Sequence, residues 1–128
     1  MKTILLVDDD DLFRRALKEE LECDGFSVIE AANGTEAMER LDDTVDLALI
    51  DYALPDATGL TLLSHVKTKR LRCPVILMTA YAEKDTRTEA IRGGVYQYLD
   101  KLDDFAHILQ TVRSALHLEE SGDIPPFG

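Results

Sequence analysis

The chain has few basic residues, only two cysteines and no long apolar run. Its 14 lysines and arginines stand against 25 aspartates and glutamates, which gives a net charge of −11. Nucleic-acid binding depends on neutralising phosphates, so this charge balance argues against direct nucleic-acid binding. Cys23 and Cys73 lack the close spacing of a metal or redox motif, and we expect buried or half-buried thiols.

The absence of a long apolar segment also bears on where in the cell the protein is found. A membrane span needs about 18 consecutive apolar residues, and no run here approaches that length. Residues 1–3 lead into a strand-like run rather than into the apolar region of a signal peptide. We therefore expect a cytoplasmic chain with no membrane segment. At 128 residues it has room for one domain with a core, and too little for two.

Short apolar runs of strand length alternate with segments of helix length. This βαβα rhythm is typical of a parallel sheet covered by helices on both faces. The predicted strands are 4–7, 27–30, 47–50, 75–78 and 96–99. The predicted helices lie near 12–24, 35–41, 59–69, 83–92 and 105–116. A single domain is assigned to residues 1–118, and residues 119–128 to a C-terminal tail or the start of a linker.

Two of the predicted helices have informative patterns. The first has an apolar stripe opposite a polar face, and Gly25 ends it as a left-handed cap would. Its apolar stripe is Leu12, Phe13, Ala16, Leu17 and Leu21, and its polar face is Arg14, Arg15, Lys18 and Glu19. The segment 83–92 has Ala90 and Ile91 as nearly its only apolar anchors. This weakly anchored helix is a candidate moving part.

Four of the predicted strands end beside residues able to handle a metal-bound phosphate. Asp8 and Asp9 follow the first strand, Asp51 follows the third, Thr79 follows the fourth, and Lys101 comes just after the fifth. A parallel sheet brings the C-terminal ends of its strands to one edge, where open α/β folds place their sites. We therefore expect these side chains to share one cleft.

The acidic run 8–11 has a plain explanation as a solvated loop whose last member, Asp11, caps the first helix. Asp51 favours a functional explanation of these acids instead, because it directly follows a wholly apolar strand. Carboxylates from two strand ends would repel one another unless a cation joined them. Magnesium favours hard oxygen ligands together with phosphate oxygens. The carboxylates thus indicate a site for a divalent metal and a phosphoryl group.

The same residues suit phosphoryl transfer to a carboxylate. Asp51 could act as the nucleophile and form an aspartyl phosphate. Lys101 and Thr79 would supply the charge and hydrogen bonding that such transfers need. Alone, a threonine at a strand end is common, and a lysine between acids is often a surface ion pair worth under about 1 kcal/mol. Because Asp51, Thr79 and Lys101 occur together and in this order, they favour a role in phosphoryl transfer.

The ordered set of motifs resembles the receiver domain of two-component response regulators, over residues of about 2–118. The motifs are LLVDDDDLFRR, IDYALPDATG, ILMTAY and YLDK. The resemblance implies a single doubly wound, flavodoxin-like (βα)5 domain of the α/β class, with a parallel five-stranded sheet of order 2-1-3-4-5. It also implies a phosphorylation-controlled signalling switch, which assists only its own phosphorylation and dephosphorylation and is not an enzyme with an external substrate.

The resemblance further implies a metal site and a phosphoacceptor. Asp51 would accept a phosphoryl group from a phosphohistidine on a sensor histidine kinase or a histidine phosphotransfer protein. Asp9 would bind Mg²⁺ directly and Asp8 largely through water, and Asp51 and the backbone carbonyl of Ala53 would be further ligands. The last two helices would offer a surface for a homodimer or for another partner.

The remaining implied roles concern the phosphate contacts and the switch. Thr79 and Lys101 would contact the phosphoryl oxygens. Tyr98 stands where the family keeps a switch aromatic, and it would turn inward as Thr79 moves toward the phosphate. The alternative for Tyr98 is an aromatic residue on a half-buried strand face. Ala53 and Tyr81 would lie at the variable positions that in this family influence how fast the phosphate is lost.

One position departs from the family pattern, because Leu102 follows Lys101 where the family usually has a proline in a cis peptide. A non-proline cis bond costs about 3 kcal/mol, so a trans peptide here would displace the lysine from the site. This departure also encourages a third interpretation of the chain, as a phosphorylation-independent interaction module with the same fold.

A haloacid-dehalogenase-like phosphohydrolase is the other alternative. Asp8 and Asp10 form a D-x-D motif after the first strand, with a threonine and a lysine later in the chain. Leu12 replaces the hydroxyl expected after that motif, and no late acidic pair follows a fourth strand. The two functions differ in which aspartate would carry the acyl phosphate, namely Asp8 in the hydrolase and Asp51 in the switch.

Overall fold

The structure is a computed structural model that describes residues 1–80 and 84–118. All five predicted strands and all five predicted helices are present in these ranges. The strands are β1 Thr3–Val7, β2 Ser27–Ala31, β3 Leu47–Asp51, β4 Val75–Thr79 and β5 Gln97–Asp100. The helices are α1 Asp11–Cys23, α2 Gly34–Arg40, α3 Gly59–Thr68, α4 Lys84–Arg92 and α5 Phe105–Ala115. Tyr81, Glu83 and the predicted tail 119–128 lie outside the described residues.

The five strands form one parallel sheet in the order β2-β1-β3-β4-β5, which confirms the predicted order. Val7 at the end of β1 pairs with Ala31 on one side and with Ile50 on the other. Asp51 pairs with Met78, one residue before Thr79. All strands point the same way, so the residues that follow them meet at one edge of the sheet.

The sheet is covered on both faces, as the continuous apolar strands predicted. In β1, Leu5 and Val7 belong to a core cluster shared with α2, α3 and α4. Ile4 and Leu6 point to the opposite face and belong to a second cluster, shared with α1 and α5. No helix in the described part of the chain is long and apolar enough to cross a membrane.

Helix α1 differs in three details from its predicted pattern. Asp10, not Asp11, is the N-cap residue, and its side chain accepts a 3.1 Å hydrogen bond from the N–H of Phe13. The predicted cap was wrong by one residue, because Asp10 keeps an extended backbone while Asp11 is already helical. Leu12 is 81% exposed, whereas Arg14, assigned to the polar face, is buried. The C-terminal signal is confirmed, since Gly25 has a φ of +93°.

The two cysteines differ in exposure. Cys73 is buried as expected, and burial raises the pKa of its thiol. Cys23 is exposed at the last residue of α1, so the expectation of a buried or half-buried thiol was wrong there.

Candidate functional site

Three carboxylates meet at the C-terminal edge of the sheet. Asp8 follows β1 and is fully buried, Asp51 ends β3 and is buried, and Asp9 is exposed. Each offers a carboxylate oxygen, and these atoms lie within 4.8 Å of one another. The N–H of Asp8 donates to the Ala31 carbonyl at 3.0 Å, which ties the start of the acidic loop to the end of β2. The predicted convergence of the acidic residues is therefore present.

The ammonium of Lys101 lies between two of these carboxylates. Its Nζ is 2.9 Å from Asp8 Oδ2 and 3.2 Å from Asp51 Oδ2. No described peptide bond is cis, so Lys101 reaches the site through a trans peptide with Leu102. The alternative in which a trans peptide displaces the lysine was wrong.

The β5–α5 loop reaches this position through its own hydrogen bonds. The N–H of Lys101 donates to the Thr79 carbonyl at 2.9 Å and extends the pairing of β4 with β5. The N–H of Leu102 donates to Asp100 Oδ1 at 2.8 Å. These two contacts direct the chain so that the lysine side chain points into the acidic cleft. A proline at position 102 would remove the second donor.

The charges in the cleft do not balance. Burial, and then the charge of Asp8, raise the pKa of Asp51 to about 6, although the ammonium of Lys101 and the N–H of Ala53 oppose the rise. Burial alone would lower the pKa of Lys101, but its close contact with Asp8 and the charges of both acids raise it overall. One ammonium therefore faces two carboxylates, with Asp9 close by. A further cation in the cleft would reduce the repulsion between these carboxylates.

The cleft also offers suitable ligand atoms for a hard cation. Asp8 Oδ2 is buried and accepts no aligned hydrogen bond from the described residues, although Lys101 Nζ lies close to it. The turn after β3 is closed by N–H groups of Gly59 and Leu54, which donate to the carbonyls of Tyr52 and Ala57. The bridge between Ala53 and Thr58 therefore does not use the Ala53 carbonyl. This set of hard oxygen atoms fits Mg²⁺.

Thr79 and Tyr98 also lie where the sequence placed them along their strands. Thr79 is the last residue of β4 and is buried. Tyr98 in β5 is 5% exposed and belongs to the core cluster on the α4 side. The guanidinium of Arg87 lies 5.9 Å from the centroid of its ring. The ring of Tyr98 therefore already lies inward in this structure, and its coupling to a movement of Thr79 remains a prediction.

Two charged residues support the site, and the sequence analysis missed both. Arg14 donates to the Asp8 carbonyl at 2.6 Å and to Glu30 at 2.9 Å. Its spacing to Leu17 and Leu21, three and seven residues on, was a usable sign of its position on the buried stripe. Asp56, in the loop after β3, accepts from the N–H of Gly34 at 2.7 Å and so fastens that loop to the start of α2. No sequence pattern indicates this contact.

Comparison with known proteins identifies the family and the fold. The family model of the response regulator receiver domain matches residues 4–113. A cyclic di-GMP phosphodiesterase of Thermotoga maritima is 37% identical over 99 residues, which are 77% of this chain and 27% of that protein. The regulatory protein AtoC of Escherichia coli is 38% identical over 117 residues, which are 91% of this chain and 25% of AtoC. The chain thus spans about a quarter of the length of these relatives.

Solved structures show the same fold. A CheY-like receiver domain from Methanospirillum hungatei matches with a TM-score of 0.85 and 29% identity, covering 91% of this chain and 94% of that chain. A response regulator of Burkholderia pseudomallei, with a phosphorylated aspartic acid, a calcium ion and citrate, matches with a TM-score of 0.78 and 26% identity, covering 98% of this chain and 76% of that chain.

A third structure, the beryllofluoride-activated NtrC4 receiver domain dimer, matches with a TM-score of 0.85 and 27% identity, covering 91% of this chain and 98% of that chain. These similarities support neither the phosphohydrolase nor the phosphorylation-independent module.

The family match agrees with the sheet order and with the acids and lysine that meet at the strand ends. The chain belongs to the response regulator receiver domain family.

Proposed function

We propose that Asp51 is the phosphoacceptor of this receiver domain and that phosphorylation there controls the state of the switch. The observation that carries the proposal is the position of Asp51 at the end of β3, in a charged cleft with Asp8, Asp9 and Lys101. A buried carboxylate beside an ammonium and two further acids has little structural use, because burying charges without a ligand is costly. The same arrangement suits a phosphoryl group that arrives together with a cation.

The reaction is attack by a carboxylate oxygen of Asp51 on the phosphorus of a phosphohistidine. The new O–P bond forms as the N–P bond breaks, and the released imidazole takes up a proton. Asp51 must be ionised to attack, and its pKa of about 6 leaves it mostly ionised at neutral pH. The ammonium of Lys101, 3.2 Å from Asp51 Oδ2, would stabilise the negative charge on the phosphoryl oxygens.

We assign the cation site to Asp8, Asp9, Asp51 and the backbone carbonyl of Ala53, with Mg²⁺ as the metal. When bound, Mg²⁺ acts as a Lewis acid toward the phosphoryl oxygens. Asp8 and Asp9 would hold it through hard oxygen atoms, and the N–H of Ala53, 3.2 Å from Asp51 Oδ1, orients the acceptor carboxylate.

Thr79 and Tyr98 form the switch in this proposal. The hydroxyl of Thr79 would contact the phosphoryl oxygens, and Tyr98 would follow its movement. Arg87 of α4 lies over the Tyr98 ring, which gives α4 a physical link to β5. Phosphorylation would thus shift an equilibrium that exists beforehand, and α4 would report it.

The partners and boundaries are part of the same proposal. The phosphoryl donor would be a sensor histidine kinase or a histidine phosphotransfer protein, in the cytoplasm. The switch would act through α4 and α5, on a second copy of the chain or on an output partner, without direct contact to nucleic acid or a membrane. The receiver domain would occupy 1–118, with a tail or linker at 119–128, and would catalyse only its own phosphorylation and dephosphorylation.

Intact-mass measurement after incubation with acetyl phosphate and Mg²⁺ tests the proposal. The wild type and Asp103→Asn, a matched control at an exposed acid, should each gain the mass of one phosphoryl group. Asp51→Asn should gain none, and the wild type with a chelator should gain little. Equal gain in the wild type and in Asp51→Asn would refute the assignment.

A further inference from the structure

The ammonium of Lys101 also lies against an aromatic ring that has no assigned role in the site. Its Nζ is 4.5 Å from the ring centroid of Phe13, in the first turns of α1. Phe105, at the start of α5, packs against Phe13 with a centroid distance of 5.8 Å and an interplanar angle of 78°. A cation within about 6 Å of a ring centroid is attracted by the electron-rich face. Lys101 is thus held by two carboxylates and one ring.

This contact bears on the sequence departure at position 102. A lysine side chain has a flexible stem of four carbons, and its ammonium is a compact point charge that imposes no fixed geometry on its partners. Here the loop continues through Leu102, which is 80% exposed. The ring of Phe13 adds a third contact to the ammonium beside those with Asp8 and Asp51, and only 12% of the lysine side chain is exposed.

We propose that Phe13, supported edge-on by Phe105, is a positioning residue that holds the Lys101 ammonium at the phosphorylation site. The ring face sets no hydrogen-bond angle, so it lets the ammonium move from Asp51 Oδ2 to a phosphoryl oxygen without leaving the ring. The effect on phosphorylation rests on the proposed function. The contact between ring and ammonium does not, because it involves only the side chains of Phe13 and Lys101.

A purely structural role for Phe13 is the competing explanation. Phe13 and Phe105 both pack against the core cluster on the α1 and α5 side. Substitution by leucine keeps an apolar side chain for that packing but removes the ring face. Substitution by tyrosine keeps the ring and adds only a hydroxyl. Phe13→Leu and Phe13→Tyr therefore separate the two explanations.

The first measurement needs neither metal nor phosphate. In NMR spectra of the wild type, the ε-methylene protons of Lys101 should be shifted upfield by the ring current of Phe13. The shift should persist in Phe13→Tyr and disappear in Phe13→Leu, while the spectra of the β-sheet amides stay alike. A Lys101 signal that is the same in the wild type and in Phe13→Leu would overturn the contact.

The second measurement is a double-mutant cycle on the phosphorylation rate with acetyl phosphate and Mg²⁺. Phe13→Leu should slow the wild-type reaction by about threefold to tenfold, and Phe13→Tyr should leave it within about twofold. In the Lys101→Met background, Phe13→Leu should have no further effect, because the ring acts only through the ammonium. Equal slowing in both backgrounds would overturn the positioning role. If the wild type accepts no phosphate, the proposed function fails instead, and the NMR result still decides the contact.

Discussion

The guanidinium of Arg14 donates a hydrogen bond of 2.6 Å to the backbone carbonyl of Asp8, whose carboxylate is the most deeply buried group in the site. The same guanidinium contacts Glu30 at 2.9 Å and Asp11 at 2.8 Å. Burial alone would lower the pKa of Arg14, but hydrogen bonds to Glu30 and Asp11 raise it overall. Arg14 therefore connects the acidic loop to the end of β2 through a guanidinium that stays protonated.

We expect Arg14→Lys to weaken Mg²⁺ binding several-fold and to lower the melting temperature. A lysine cannot reproduce the planar fork that contacts three oxygens, and a buried acceptor left without its donor costs about 1–3 kcal/mol. Titration calorimetry with Mg²⁺ and thermal melts measure the two effects. Arg15→Lys, the exposed neighbour on the same helix, is the matched control and should behave as the wild type. Unchanged Mg²⁺ affinity in Arg14→Lys would show that the acidic loop does not depend on this contact.

The pKa of Asp51 predicts a pH-dependent stability without metal. Its pKa is raised to about 6, so the folded chain binds a proton more tightly than the unfolded chain does. The free energy of unfolding should therefore fall as the pH rises between about pH 4 and pH 6, and the full destabilisation is present above that window.

Asp51→Asn removes this destabilisation. In a chelating buffer at pH 7.5, the mutant should be more stable than the wild type by about 1–2 kcal/mol, and the difference should vanish near pH 4. Addition of Mg²⁺ should stabilise the wild type and leave Asp51→Asn nearly unchanged. Thermal and denaturant melts over this pH range provide the measurement. A mutant less stable than the wild type at pH 7.5 would contradict the charge imbalance.

Leu102→Pro should not accelerate phosphorylation, because Lys101 already reaches both carboxylates. The substitution removes the N–H that donates to Asp100, so the mutant should melt below the wild type. Leu102→Ala keeps that donor and should match the wild type in both properties. Phosphorylation rates of these variants and of Lys101→Ala settle the point. A wild type as slow as Lys101→Ala, together with a faster Leu102→Pro, would show that the lysine is not in place in solution.

The hydroxyl of Thr79 is expected to couple the phosphate to α4. Thr79→Ala should still accept phosphate, but the amide shift changes that phosphorylation causes in residues 86–92 should be much smaller than in the wild type. Thr79→Ser keeps a hydroxyl and should retain most of the response. An undiminished response in Thr79→Ala would remove Thr79 from the coupling.

The sequence predicted the sheet and the convergence of the site because both depend on short-range patterns. Apolar runs mark β1, β3 and β4, and a parallel sheet must then place Asp8, Asp51 and Thr79 at one edge. The path of the β5–α5 loop depends on the Asp100 side chain, and the sequence alone left the position of Lys101 open.

Contacts between distant segments could not be predicted in the same way. Asp56 reaches Gly34 across 22 positions, and Phe13 meets Lys101 only once α1 and α5 are packed beside each other. Arg14 was misassigned because a charged residue was taken as solvent-facing, although its three oxygen partners make burial favourable.

The most direct test of the central claim is chemical identification of the phosphorylated residue. Borohydride reduces an acyl phosphate to an alcohol and leaves free carboxylates intact, so a phosphorylated aspartate becomes homoserine. The wild type is phosphorylated with acetyl phosphate and Mg²⁺, reduced, digested and mapped by tandem mass spectrometry, with an unphosphorylated sample as the control. The account predicts homoserine at Asp51 alone. Homoserine at Asp8, or at no aspartate in a chain that has gained a phosphoryl group, would contradict it.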